Sequence, residues 1–244
     1  MAHKDTMKTP RLYQNTELSI GDTLSLDDGA SRHLIKVLRA TKDAPLTLFN
    51  GDGLDYAARI VSAQTPCTVE LLASEQNTTE SPLHLTLVQG IAKGEKMDFL
   101  MQKAVELGVN RIIPMDSSRC VVRLKGEKAK RRLEHWQKII IHACEQSGRA
   151  SVPELLPIHS FSQVLDLDLD SPFVLHHRAD TPLSAYDKPT AASVIIGPEG
   201  GLSQAEIEQA MAAHCQPLLL GKRILRTETA SLVALANMQL LWGG

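Results

Sequence analysis

Two rhythms of hydrophobic and polar positions divide the chain. From Arg11 to about residue 72 the apolar positions come in short alternating runs, at 23–26, 46–49, 57–61 and 69–72, broken by turn residues. Alternation with period two predicts half-buried strands, and Asn50-Gly51-Asp52-Gly53 predicts a hairpin between two of them. These runs, with one short helix near residues 30–38, predict a small β-barrel. Residues 74–82 are polar and end in Pro82, as a linker would. Beyond them strand-like runs (84–89, 111–114, 173–176, 193–196, 217–220) alternate with helical stretches. In residues 96–107 Met97, Leu100, Met101, Ala104 and Leu107 recur at spacings of three or four, and Gly108 stands where a C-terminal cap belongs. A second helix is expected over 128–147. Strands alternating with helices predict an α/β fold with a mostly parallel sheet. The expected organisation is thus a barrel domain over 1–73, a linker over 74–82 and an α/β domain over 83–244.

Two glycine-bearing segments near the C-terminus carry the chemistry. Ile195-Ile196-Gly197-Pro198-Glu199-Gly200-Gly201-Leu202 follows one apolar run. Leu220-Gly221-Lys222-Arg223-Ile224-Leu225-Arg226-Thr227-Glu228-Thr229-Ala230 follows another. Ser203 and Glu206 have the spacing of a capping box, so a helix should begin just after Gly201. Adjacent strand-to-helix loops would form a pocket at the carboxyl ends of the strands, where α/β sheets bind ligands. By themselves the glycines read equally well as helix-opening turns. Neither a phosphate-loop signature nor a dinucleotide fingerprint is present, since Gly51-Asp52-Gly53 lacks a third glycine and Gly90–Lys96 has the wrong spacing. Glu199 within the turn would repel phosphate, so a ligand with hydroxyls, an adenine and a positive centre suits the loops better. S-adenosyl-L-methionine has those features.

Composition narrows the choice of partners. A chain of 244 residues suits two unequal domains, and 43% hydrophobic content suffices for ordinary cores. With a net charge of only −2, any hold on a polyanion must come from local patches. The four cysteines (Cys67, Cys120, Cys144, Cys215) form no C-x-x-C pair, so neither a metal site nor a disulfide framework is indicated. Without an apolar leader or a membrane-length apolar run, the expectation is a cytoplasmic protein with no membrane partner.

Together the two glycine segments resemble the signature of the knotted SPOUT methyltransferases, and more narrowly the ribosomal RNA small-subunit methyltransferase E family. The likeness extends to Lys93-Gly94-Glu95-Lys96-Met97, to 103–109, to Trp136-Gln137-Lys138-Ile139 and to 143–149. It includes His176-His177-Arg178-Ala179, where family members carry proline in place of His177. It also reaches Arg32-His33-Leu34 and Val37-Leu38-Arg39 near the N-terminus. The resemblance implies a SPOUT-type knotted parallel-sheet methyltransferase domain preceded by a PUA-like barrel. It further implies S-adenosyl-L-methionine as cofactor, a homodimer, and methylation of the ring N3 of one uridine in 16S ribosomal RNA. Two other readings stay open at this stage: a SPOUT enzyme acting on a ribose hydroxyl or another base, and a noncatalytic RNA-binding protein.

Removing the N3 proton of uridine calls for a base, for donors to the flanking carbonyl oxygens, or both. Arg226 fits as donor and Glu228 as base; the plainer alternatives are a salt bridge for the arginine and a dipole-complementing acid for the glutamate. Expected around the cofactor are His176, Ile196, Gly197, Glu199, Gly200, Gly201, Leu220, Gly221, Ile224, Leu225, Arg226, Thr229 and Ala230. RNA contacts are expected from Arg11, Arg32, Lys36 and Arg39 in the barrel. Arg119, Arg123 and Lys125 lie in a basic run over 119–132, although such runs are often solvated helix faces. Aromatic residues make up only 4%, which disfavours a stacking platform for single strands.

Overall fold

The computed structural model describes residues 9–176 and 178–244, and these fall into two compact units. One holds the chain up to Glu80 together with Cys144–Val152, and the other holds Ser81–Ala143 and Pro153–Gly244.

The first unit contains β1 (Arg11–Tyr13), β2 (Thr23–Ser25), α1 (Asp28–Arg32), β3 (Pro45–Phe49), β4 (Leu54–Ser62) and β5 (Thr68–Gln76). Its five strands lie in the order β1-β3-β4-β5-β2, with β1 parallel to β3 and the other pairs antiparallel. The hairpin predicted at Asn50–Gly53 is present. Asn50 Oδ1 accepts from the Asp52 amide, Asp52 Oδ1 accepts from the Leu54 amide, and Gly51 adopts φ +100°, a value suited to glycine. Strand β5 continues to Gln76, three residues into the expected linker, because Ser74, Glu75 and Gln76 pair with Tyr56, Asp55 and Leu54 while their side chains stay in solvent. The short helix starts at Asp28 rather than near residue 30, since Asp27 caps it by accepting from the Gly29 and Ala30 amides. It then widens into a π-helical turn over His33–Val37. One core gathers Leu12, Leu34, Leu46, Leu48, Ile60, Val69 and Leu71.

In the second unit the elements are β6 (His84–Gly90), α2 (Lys96–Glu106), β7 (Arg111–Asp116), α3 (Gly126–Ser147), β8 (Glu154–Leu155), β9 (His159–Ser160), α4 (Phe161–Leu165), β10 (Pro172–Leu175), β11 (Ala191–Ile196), α5 (Gln204–Ala212), β12 (Gln216–Leu218) and α6 (Thr227–Trp242). The end of α3, from Cys144, is counted with the first unit. Every pairing in this sheet is parallel, in the order β12-β10-β11-β6-β7-β8, with β9 also on β7. Strand β6 is buried from Leu85 to Gly90, as expected of a central parallel strand covered on both faces. Gly108 ends α2 at φ +79° and donates to the Val105 carbonyl, as its position predicted. The capping box at Ser203 is present: its Oγ accepts from the Glu206 amide, and the Glu206 carboxylate accepts from the Ser203 amide. Helix α6 buries Ala230, Ala234, Leu235, Met238 and Trp242 but leaves Leu240 and Leu241 exposed. Among the described residues no helix is long and apolar enough to cross a membrane.

Candidate functional site

Because all strands of the second sheet run the same way, the loops that follow them emerge at one end. Residues of the segments 197–202 after β11 and 219–225 after β12 line a single cavity of about 600 Å³, within the size range of small-molecule sites. Of the expected cofactor residues, His176, Ile196, Gly197, Glu199, Gly200, Gly201, Leu220, Gly221, Ile224, Leu225 and Ala230 line it; Arg226 and Thr229 do not. His177 lies outside the described residues.

Close packing shapes the first turn. A Cβ on Gly197 would come within 2.6 Å of the Gly201 carbonyl carbon and 2.7 Å of the Leu202 amide, so the chain can double back only over a bare Cα. The Gly201 amide closes the turn onto the Pro198 carbonyl at 2.8 Å. From below, the end of β6 presses on it: a Cβ on Gly90 would lie 2.5 Å from Pro198 N. Thr227, the first residue of α6, ties the two loops together. Its buried hydroxyl donates to the Gly197 carbonyl at 2.7 Å and accepts from Gln89 Nε2 at 2.9 Å, while Ser231 Oγ donates to Gln89 Oε1. Thr227 also lines the cavity, as do Arg178 and Gln204, none of which was anticipated. No local signal marks Thr227, because its partner lies 138 positions away.

The segment after β7 clamps the same turn. Arg119 Nη1 donates to the carbonyls of Gly200 (2.9 Å) and Leu202 (3.2 Å), and Ser118 donates through N and Oγ to the Glu206 carboxylate. Burial alone would raise the Glu206 carboxyl, yet the donors from Ser118 and Ser203 hold it below the usual glutamate range. Glu199 is treated in the same way. Burial pushes it up, but bonds from the Lys93 amide (3.0 Å) and Lys96 Nζ (3.1 Å) bring it lower overall. Its carboxylate is therefore partnered by Lys96 rather than left free in the turn.

Arg226 stands exposed at the N-terminal cap of α6. Glu228, one turn in, pairs with Lys96 at 3.6 Å rather than with Arg226. The basic residues expected to meet RNA divide sharply. Arg32, Lys36, Arg39 and Lys125 are exposed. Arg11 instead points inward: it pairs with Asp55 at 2.8 Å, donates to the Arg149 carbonyl and lies over the Phe49 ring, so its charge is spent within the first unit. Arg119 holds the glycine turn. Arg123 pairs with Asp116 and donates to the Ser117 and Ser118 carbonyls. A charge count cannot separate these commitments from solvent exposure. All four cysteines are free and buried, and burial pushes the Cys144 thiol up to about 12 and the Cys215 thiol to about 11, so neither of these two is a ready nucleophile.

Comparison with known proteins agrees with this geometry. The RNA methyltransferase domain family matches residues 79–239, and the RNA methyltransferase PUA domain matches residues 26–71. A ribosomal RNA small subunit methyltransferase E from Bacillus subtilis is 32% identical over 228 residues, 88% of either chain. Among solved structures, a ribosomal RNA small subunit methyltransferase E from Neisseria gonorrhoeae bound to S-adenosyl methionine is 43% identical, with a TM-score of 0.90. That alignment covers 97% of this chain and 99% of the other. A methyltransferase from Legionella pneumophila, in complex with the same cofactor, is 38% identical with a TM-score of 0.94, over 98% and 100% of the two chains.

Proposed function

The chain belongs to the ribosomal RNA small subunit methyltransferase E family, and from that premise we propose that it transfers a methyl group from S-adenosyl-L-methionine to the ring N3 of one uridine in 16S ribosomal RNA. The observation that carries this reading is the convergence of the two glycine segments on one cavity. A cradle in which Gly197 and Gly200 have backbone or Arg119 where a Cβ would stand fits a ligand read by main-chain amides and carbonyls. Ile196, Leu220 and Leu225 offer it apolar walls. Bound there, the cofactor supplies an electrophilic methyl on a sulfonium.

What the chain itself must do is free the N3 lone pair. The N3–H proton has to leave, and negative charge then spreads onto the two flanking carbonyl oxygens. Exposed Arg226, at the mouth of α6, is assigned as donor to a uracil oxygen, and Glu228 as acceptor of the proton. Positive charge for the RNA backbone comes from Arg32, Lys36 and Arg39 on the first unit and from Lys125 with the exposed start of α3 on the second. Exposed Leu240 and Leu241 on α6 favour a homodimer.

Incubation with labelled cofactor and small subunits lacking the modification, followed by nucleoside mapping, tests the assignment. N3-methyluridine at one 16S position is expected; a methylated ribose or another base would replace the reading with a different RNA methylation. Arg226→Ala should lose turnover at least a hundredfold and bind cofactor within threefold of the parent. Full turnover in that variant would remove Arg226 from the mechanism.

A further inference from the structure

Lysine is poorly placed, by local rules, at the first position of a helix, where the dipole favours acids. Lys96 opens α2 there all the same, and no side chain caps this helix. Its ammonium reaches out to two acids from other elements: Glu199 Oε1 at 3.1 Å and Glu228 Oε2 at 3.6 Å. Glu199 is fixed independently by the Lys93 amide, so it anchors the lysine. Glu228 is in a different position. Its side chain is only 16% exposed, and Oε2 is buried without a hydrogen bond, leaving Lys96 as the cation beside it. A carboxylate oxygen so withdrawn from water finds its partner in the ammonium beside it.

We propose that Lys96 is a positioning residue for methyl transfer, tethered to the glycine turn through Glu199 and holding the Glu228 carboxylate in place. It rests on the assignment of Glu228 as proton acceptor. Lys96 is not itself among the residues lining the cavity and, on this reading, does not touch the reacting atoms. It acts through Glu228, and that distinguishes its signature from that of a scaffold. Without the ammonium the Glu228 carboxylate loses the contact that fixes its place, so the chemical step slows while cofactor and RNA binding are kept.

The test compares Lys96→Met, Lys96→Gln and Lys96→Arg with the parent on undermethylated small subunits, separating kcat from KM and measuring cofactor Kd by calorimetry. Lys96→Met is expected to lower kcat at least about tenfold, while KM and Kd stay within about threefold. Lys96→Arg should restore part of the rate. Lys96→Gln, closer in length, carries the same reading if the methionine variant folds poorly. An unchanged kcat in the uncharged variants overturns the proposal, and so does a fall in kcat that comes with lost cofactor affinity and is not restored by arginine. Glu228→Gln separates the two levels of inference: full turnover there refutes the assignment of Glu228, whereas an inactive Glu228→Gln beside a fully active Lys96→Met refutes only the role of Lys96.

Discussion

Gly90 lies outside both glycine segments and is not itself part of the cavity lining, yet its replacement should be felt by the cofactor. A Cβ at this position would lie 2.5 Å from Pro198 N, 2.6 Å from Pro198 Cδ and 2.8 Å from the Gly197 carbonyl carbon. Comfortable separations for such atoms are about 3.5–4.0 Å, so roughly 1 Å of relative movement is needed. None of the three atoms can rotate away, because all belong to backbone or a proline ring. Strand β6 is held on both sides by β11 and β7, so the glycine turn is the part that yields. Overpacking of this kind costs about 1–3 kcal/mol. Taken up by the turn, that energy corresponds to a loss of cofactor affinity of about tenfold to a hundredfold. Isothermal titration of Gly90→Ala with S-adenosylmethionine reads it directly, and a melting curve shows whether the fold has survived. Gly94→Ala is the control: φ is +62° with nothing within 4 Å, so only about 1 kcal/mol of local backbone strain is added. A Gly90→Ala protein that binds cofactor within twofold of the parent would refute the claim that β6 sets the position of the turn.

Two further outcomes follow from the same unit. Glu206 carries a lowered pKa, so its contribution to stability is complete above the ordinary glutamate value and is lost as pH falls through the folded one. Glu206→Gln places an amide group against the Ser118 and Ser203 donors and should cost about 2–3 kcal/mol near pH 7. In thermal melts the gap from the parent should narrow below about pH 4; a gap independent of pH would show that the carboxylate charge is not what holds Ser118. On the outer face, reversing Lys125 and Lys128 to glutamate should weaken RNA binding and lower its salt slope by about two, with cofactor affinity unchanged. An unaltered slope would mark that face as merely solvated.

Legibility varied with the range of the interaction. The capping box at Ser203, the glycine end of α2 and the hairpin at Asn50–Gly53 close within a few residues, and all three are where local chemistry predicted them. Two-residue strands β8 and β9 carry no periodicity to detect; the sheet edge on β7 creates them. Leu167 and Leu169 alternate with Asp166, Asp168 and Asp170, yet they pack on the core beside Val164 because alternate positions of an irregular segment can still reach it. The cavity wall was largely readable because glycines in strand-to-helix turns mark close approach. Thr227, Arg119 and Lys96 were not, since each serves this site through partners distant in the chain, 30 and 138 residues away for Thr227, 81 for Arg119 and 103 for Lys96.

The basic run shows which part of that shortfall is systematic. Within 119–132 three of the four arginines make contacts within the fold, and Arg131 stays exposed. Arg119 reaches two carbonyls, Arg123 an acid and two carbonyls, and Arg132 lies 3.8 Å from Asp98 and over the Trp136 ring. Lys125, Lys128 and Lys130 stay exposed. A planar guanidinium with five donors can serve several carbonyl acceptors at once and stacks on rings, whereas a strongly hydrated ammonium gains less from leaving water. In a mixed run beside a binding cavity, arginine therefore tends to hold loops while lysine keeps its charge for the solvent. On our reading the phosphate hold of this run falls to the three lysines and Arg131. An Arg123→Glu variant would then confuse a collapsed β7–α3 segment with lost RNA contact, and only reversal of the lysines isolates the electrostatic contribution.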